Sequence, residues 1–185
     1  MTPAPEDRHL AEDLDIALRL ADAADEITMS RYLSSDLQVE TKPDQSPVTI
    51  ADKATERVLR TKLAELRPDD GVLGEEFGEE GLSDRRWIID PIDGTKNYMR
   101  GVPVWATLIG LEVGQEMGLG VVSAPALGRR WWAREGRSAW TQDVDGTVRQ
   151  IHASGISDLS DASFSYSDEE YWRERGSFAG LRALI

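Results

Sequence analysis

Six consecutive residues, Asp90-Pro91-Ile92-Asp93-Gly94-Thr95, follow the apolar run Trp87-Ile88-Ile89. Fifteen residues before Asp90 stands Glu75, in Gly74-Glu75-Glu76, which closes the short apolar run Val72-Leu73. Two strand ends that both finish in carboxylates suggest a site for a hard cation, because Asp and Glu oxygens on neighbouring strands are the ligands Mg²⁺ prefers. Gly94-Thr95 has the makings of a phosphate cradle. Glycine lets the backbone approach closely, and amides that open a helix point at an anion. Carboxylates for metal beside amides for phosphate is the equipment of metal-assisted phosphoryl hydrolysis. Each part alone has a plainer reading: paired glutamates usually lie in a solvated loop, and Asp-Pro and Asp-Gly are ordinary turn formers. The six residues together, after an apolar strand, carry the chemical reading.

The chain that must position these groups has 185 residues, 40% of them apolar, which suits one globular domain with a real core. No apolar run approaches a membrane span, and Met1 to Arg8 lacks a basic-then-apolar signal, so the expected location is cytoplasmic. There are no cysteines, which excludes disulfides and thiolate metal sites. The surplus of 34 acids over 21 bases argues against a nucleic-acid partner, and it makes a phosphate ester an awkward substrate unless metal ions invert the local field.

Residues 7–33 read as a long amphipathic helix, with Leu10, Leu14, Ala17, Ala21, Ala24 and Thr28 on one stripe, widened by Leu18 and Ile27. Residues 34–48 read as an exposed loop or short hairpin, stiffened by Pro43 and Pro47, of the kind that can hold groups over a site. Thr49-Ile50-Ala51-Asp52 opens a second helix to about Leu66, with Ala54, Val58, Leu59, Leu63 and Leu66 inward. T-x-x-D is a variant capping box, so on its own Asp52 reads as a satisfier of helix-start amides. A strand ends at Glu75, and the Gly-rich stretch Phe77 to Arg85 reads as a loop beside the site. Trp87 to Asp90 reads as a strand covered on both faces. Hairpins follow around Gly114-Gln115-Glu116 and Glu135-Gly136-Arg137, then a turn and strand over Asp143 to Ile151. Trp131-Trp132 point to opposite faces of a strand, one in the core and the other covering a helix, while Arg129 and Arg130 read as a solvated edge. Neither His9 nor His152 is given a role. Ala162 to Ser167 alternates as a strand would, and Asp168 to Leu184 reads as one helix. Hairpins beside helices make an α+β arrangement in one continuous unit.

Gly74-Glu75-Glu76, the stretch Trp87 to Tyr98 and Gly101-Val102-Pro103 together resemble the inositol monophosphatase superfamily of Mg²⁺-dependent, lithium-sensitive phosphatases. Val102 to Ala106 and Ser123 to Trp132 look most like its actinobacterial histidinol-phosphatases. The resemblance runs from about residue 10 to about residue 167. It implies an inositol-monophosphatase-like layered fold, with long N-terminal helices on an antiparallel sheet, and residues 1–185 forming the N-terminal part of that domain. It further implies two or three Mg²⁺ ions: the first held by Glu75, Asp90 and the Ile92 carbonyl, a second shared by Asp90 and Asp93. The amides of Gly94 and Thr95 then bind phosphate, and Thr95, with Asp52 and Glu75, activates the attacking water. The implied reaction is hydrolysis of L-histidinol phosphate, a small-molecule phosphate ester, by a homodimer when full length, without nucleic acid or membrane.

The family's later W-D motif, which supplies a third metal-binding aspartate, has no match here, since Trp140 and Trp172 are followed by Thr141 and Arg173. The expectation is therefore a fragment whose last strand, Ser163 to Ser167, would present an unpaired edge. Inositol 1-phosphate or a related sugar or nucleotide phosphate is the alternative substrate. A truncated, inactive metal-binding or dimerising fragment is the non-enzyme alternative.

Overall fold

The N-terminal periodicity folds as helix α1 (Pro5–Arg31) in a computed structural model that describes residues 5–35, 37–41, 47–166 and 169–184. Its buried stripe is Ile16, Ala17, Leu20, Ala21, Ala24 and Thr28, while Leu10, Leu14 and Leu18 are only partly covered. The three alanines leave the helix backbone room to lie close to its neighbours. A two-stranded hairpin follows, β1 (Val39–Thr41) pairing antiparallel with β2 (Pro47–Thr49). The Lys42 to Ser46 part of the expected loop lies outside the described residues. Helix α2 (Ile50–Leu66) starts at the expected threonine cap and buries Ala51, Asp52, Thr55, Glu56, Leu59 and Leu63. Leu66, expected inward, is exposed, and two of the buried side chains are carboxylates.

The helices lie against one eight-stranded sheet. Its strands are β3 (Gly71–Gly74), β4 (Gly78–Glu80), β5 (Arg85–Asp93), β6 (Ala106–Val113), β7 (Glu116–Ala124), β8 (Arg129–Arg134), β9 (Ala139–Gln142) and β10 (Val148–Ile151). Helix α3 (Thr95–Met99) lies between β5 and β6. The spatial order is β10-β9-β8-β7-β6-β5-β3-β4, antiparallel throughout except for the parallel pair β3 and β5. The sheet is thus mixed rather than purely antiparallel. Both hairpins with glycine at the turn form as expected. The segment Phe77 to Arg85 is a loop only in part: β4 pairs back onto β3, Val72 opposite Glu80, although all three of its residues are exposed, and residues 81–84 then carry neither helix nor strand.

On one face of the sheet Trp87, Ile89, Ile109, Leu111, Leu119 and Val121 join the α1 and α2 side chains in the main core. The other face of β5 is not equally covered. Ile88 and Asp90 are half-buried, so this strand alternates where coverage on both sides was expected. Trp132 packs on the core, and Trp131 stands outside it beneath the Arg129 guanidinium, 5.3 Å from the ring centroid. Arg130 is no solvated edge: it bonds Asp22 at 2.8 Å, Asp25 at 2.7 Å and Ser123 at 3.0 Å, tying β8 to α1. Among the described residues no helix is long and apolar enough to cross a membrane.

The chain divides into two compact units, Met1–His152 and Ala153–Ile185, where the sequence suggests one. Residues 152–158 carry neither helix nor strand and are exposed. In the second unit residues 162–166 are not a strand, because their alternation finds no partner to pair with among the described residues; Phe164 and Tyr166 stack on each other instead, centroids 5.8 Å apart. Ser167 and Asp168 lie outside the described residues. The expected single helix is two, α4 (Glu169–Glu174) and α5 (Phe178–Leu184). Gly176 breaks it with φ 68, its amide closing onto Arg173 and that of Ser177 onto Trp172, a left-handed helix stop.

Candidate active site

Parallel pairing places Gly74 opposite Ile89, so the residues that follow, Glu75 and Asp90, emerge side by side. The Glu75 amide donates to the Ile89 carbonyl at 3.1 Å, which carries the register one step past the strand end. A bulge between Asp90 and Asp93 then interrupts the β5–β6 ladder. Pro91 has no amide to give the ladder, which suits a bulge. Its carbonyl accepts the buried Thr107 hydroxyl at 2.8 Å, and the Ile92 amide donates to Asp90 Oδ1 at 3.1 Å. The bulge is therefore a held shape that turns Asp90 and Asp93 towards Glu75.

The electrostatics show how close these acids are. Burial and the Glu75 carboxylate, which also shares a hydrogen bond with it, push the Asp90 carboxyl up to about 8. Burial and then Glu75 raise that of Asp93, and burial raises that of Asp52, with Glu75 again opposing ionisation. Glu75 is the hub. Among the described residues no three such side chains already close around one point as a metal cage. The donor set is nevertheless all hard oxygen and too crowded with negative charge to be comfortable alone, which is what a divalent cation relieves.

Asp52 answers a question that its spacing leaves open. Its Oδ2 accepts the Thr49 amide at 2.8 Å and the Thr49 hydroxyl at 2.5 Å, completing a capping box. Its Oδ1 is buried and has no hydrogen-bond partner. One oxygen holds the helix start; the other is left without a hydrogen-bond partner. An orphaned buried oxygen on a carboxylate that feels the Glu75 charge fits a site that takes a cation or water.

Gly94, with φ 85, caps α3, and a Cβ there would stand 3.1 Å from the Val104 carbonyl, so the turn requires glycine. The amides of Asn97 and Tyr98 donate back to the Gly94 carbonyl at 2.8 and 3.1 Å. The Thr95 hydroxyl donates to the Ile92 carbonyl at 3.0 Å, which joins two expected site groups to each other. Tyr98 of α3 packs edge-on to Trp105, and Tyr32 lies tilted against both, with ring centroids 4.9 to 5.5 Å apart. Helix α3 has five residues, so the amides rather than a helix dipole are what it can offer an anion.

Glu75 and Asp90 stand at one end of an open apolar trough of about 570 Å³, floored by Leu73, Ile88, Leu108, Gly110 and Val122. Two contributors escaped the sequence reading. Thr107 fixes the bulge, and Glu56, fully buried, accepts the Glu76 amide at 2.7 Å and the Phe77 amide at 3.2 Å. The available signal for Glu56 was its i+4 spacing from Asp52 on the inward side of α2.

Over residues 9–183 the chain matches the inositol monophosphatase family. It is 56% identical over 177 residues to a histidinol-phosphatase of Streptomyces coelicolor, covering 94% of this chain and 66% of that protein. A histidinol-phosphatase of Mycobacterium tuberculosis is 52% identical over 179 residues, with 94% and 68% covered. Among solved structures, an inositol monophosphatase from Zymomonas mobilis superposes with a TM-score of 0.77 at 29% identity, covering 95% of this chain and 66% of that one. The chain spans about two thirds of the length of the curated relatives it matches.

Proposed function

We propose, from the premise that the chain belongs to the inositol monophosphatase family, that it carries the metal and phosphate sites of a Mg²⁺-dependent phosphomonoesterase. In the whole protein the substrate is L-histidinol phosphate, the reading favoured by 56% and 52% identity to two histidinol-phosphatases. The observation that carries the catalytic reading is the convergence of Glu75 and Asp90 on a bulge that also presents Asp93.

Glu75, Asp90, Asp93 and the Ile92 carbonyl would hold two or three Mg²⁺ ions. Bound there, Mg²⁺ supplies Lewis acidity and lowers the pKa of water. The residues of the chain supply the rest. The amides of Gly94 and Thr95 receive the phosphate oxygens, and Gly94 leaves the approach clear of a side chain. Thr95, Glu75 and the free Oδ1 of Asp52 orient the attacking water and accept its proton. Because Asp52 Oδ2 is committed to Thr49, proton acceptance falls to a carboxylate held in one orientation. In-line attack of that water on phosphorus needs no covalent enzyme intermediate.

Phosphate release from L-histidinol phosphate and from inositol 1-phosphate, measured with and without Mg²⁺, tests this. Mg²⁺-dependent turnover favouring histidinol phosphate, abolished in Asp90→Asn, is expected. Preference for inositol 1-phosphate would overturn the substrate. Turnover indifferent to Mg²⁺ or to Asp90→Asn would overturn the site, and failure of the protein to bind Mg²⁺ or turn over either ester would favour the inactive fragment.

A further inference from the structure

Glu56 lies one helical turn after Asp52 on the same side of α2 and is not among the groups assigned to the reaction. It is fully buried, yet three donors meet its carboxylate: the amides of Glu76 at 2.7 Å and Phe77 at 3.2 Å, and Arg60 Nε at 2.8 Å. Arg60, itself 11% exposed, continues to the Gly78 carbonyl and to Glu80 at 3.1 Å. One carboxylate thus staples α2 to the turn between β3 and β4. The approach is as close as a backbone permits, since a Cβ on Gly74 would stand 1.8 Å from Glu56 Oε1. Glycine at the start of Gly74-Glu75-Glu76 is required for the staple to reach.

The residue held by this arrangement is Glu75. Its own amide is tied to Ile89 at 3.1 Å, and the next two amides along the chain are tied to Glu56. Both sides of its peptide backbone are fixed, while its side chain remains exposed beside Asp90 and Asp93. A metal ligand must sit within a few tenths of an ångström of its working distance, so anchoring the backbone on both sides has a direct consequence for affinity.

We propose that Glu56 is a positioning residue for Glu75, setting the turn from which Glu75 reaches Mg²⁺, so that α2 serves the site twice, through Asp52 and through Glu56. This role rests on Glu75 being a Mg²⁺ ligand. Calorimetric titration of the protein with Mg²⁺ alone, beside thermal melts, tests it. Glu56→Gln keeps the side-chain shape but turns one acceptor into a donor facing a backbone amide. It should weaken the Mg²⁺ Kd about tenfold or more at temperatures well below its Tm. Asp13→Asn, in a buried ion-pair cluster at the opposite end of β5, should lower Tm and leave the Kd unchanged. If Glu56→Gln does not fold, Arg60→Lys, which keeps a positive charge but loses the fork to Gly78 and Glu80, should weaken the Kd by a smaller factor. A Kd within about twofold of wild type in these variants, alongside a fall in Tm like that of Asp13→Asn, would make Glu56 a turn cap only. Absence of Mg²⁺ binding by the wild-type protein would overturn the ligand role of Glu75 itself, and this one with it.

Discussion

Tyr98 donates its hydroxyl to the Thr28 carbonyl at 2.7 Å, joining α3, which follows the site loop, to the last turns of α1, 70 residues away in sequence. The ring is buried against Tyr32 and Trp105, and burial raises the phenol pKa, so the group stays a donor at any physiological pH. The Thr28 carbonyl also accepts the Tyr32 amide at 2.9 Å, so losing the phenol leaves no orphan. Tyr98→Phe should therefore cost about 1 kcal/mol, read as a Tm about 2–4 °C lower. A drop several times larger would mean that the hydroxyl organises α3 beyond this one bond.

Gly94 should tolerate far less. Alanine there would be forced to a left-handed φ of 85, and its Cβ would press on the Val104 carbonyl at 3.1 Å. Such a backbone costs a non-glycine residue about 1–2 kcal/mol. Gly94→Ala is expected to lower Tm by about 2–8 °C and, if the Gly94 amide receives phosphate, to raise the inhibition constant of inorganic phosphate as well. Loss of stability with unchanged phosphate inhibition would move the anion elsewhere.

What the sequence makes legible is local. Thr49 and Asp52 announce the start of α2, and Gly114 and Gly136 mark two hairpins, because caps and turns are written in neighbouring residues. The cluster around Asp90 is legible for the same reason. Strand β4 is not: Gly78–Glu80 has no apolar alternation, and it forms by pairing with β3 while Arg60 holds its edge. Glu56 is not singled out by the sequence, because the amides of Glu76 and Phe77 that it accepts meet it only once the β3–β4 turn is folded against α2. The reverse error occurs at 162–166, where a strand-like alternation meets no partner strand, and at Gly176, whose left-handed φ stops a helix that periodicity alone would continue.

The buried acid Asp13 illustrates stability built away from the chemistry. One of its oxygens accepts Arg67 Nε at 2.8 Å and the other accepts Arg85 Nη2 at 2.8 Å, while Arg85 also pairs with Asp70 at 2.9 Å. Asp13→Ala would leave two half-buried guanidinium groups short of a partner, at a cost of about 3 kcal/mol. A Tm lower by about 6–12 °C is expected. Arg85 opens β5 and Asp90 lies five residues on, about 17 Å along the strand, so Mg²⁺ affinity should not change.

Asp90→Asn should separate function from stability in the opposite sense. In the metal-free protein Asp90 is a partly buried acid pressed against Glu75 and Asp93, an arrangement that costs folding energy. Asparagine keeps the shape and an oxygen for the Ile92 amide, which bonds Asp90 Oδ1 at 3.1 Å, and it is neutral without having to take up a proton as the crowded acid must. The metal-free Tm should therefore stay level or rise. Mg²⁺ should stabilise the wild type as it binds and leave the variant unmoved, because ligand binding raises Tm only where there is affinity. Turnover should fall at least about a hundredfold, beyond the range expected from disturbing a supporting residue. If the variant instead melts well below the metal-free wild type while keeping its Mg²⁺ response, Asp90 is a structural acid of the bulge and the metal lies elsewhere.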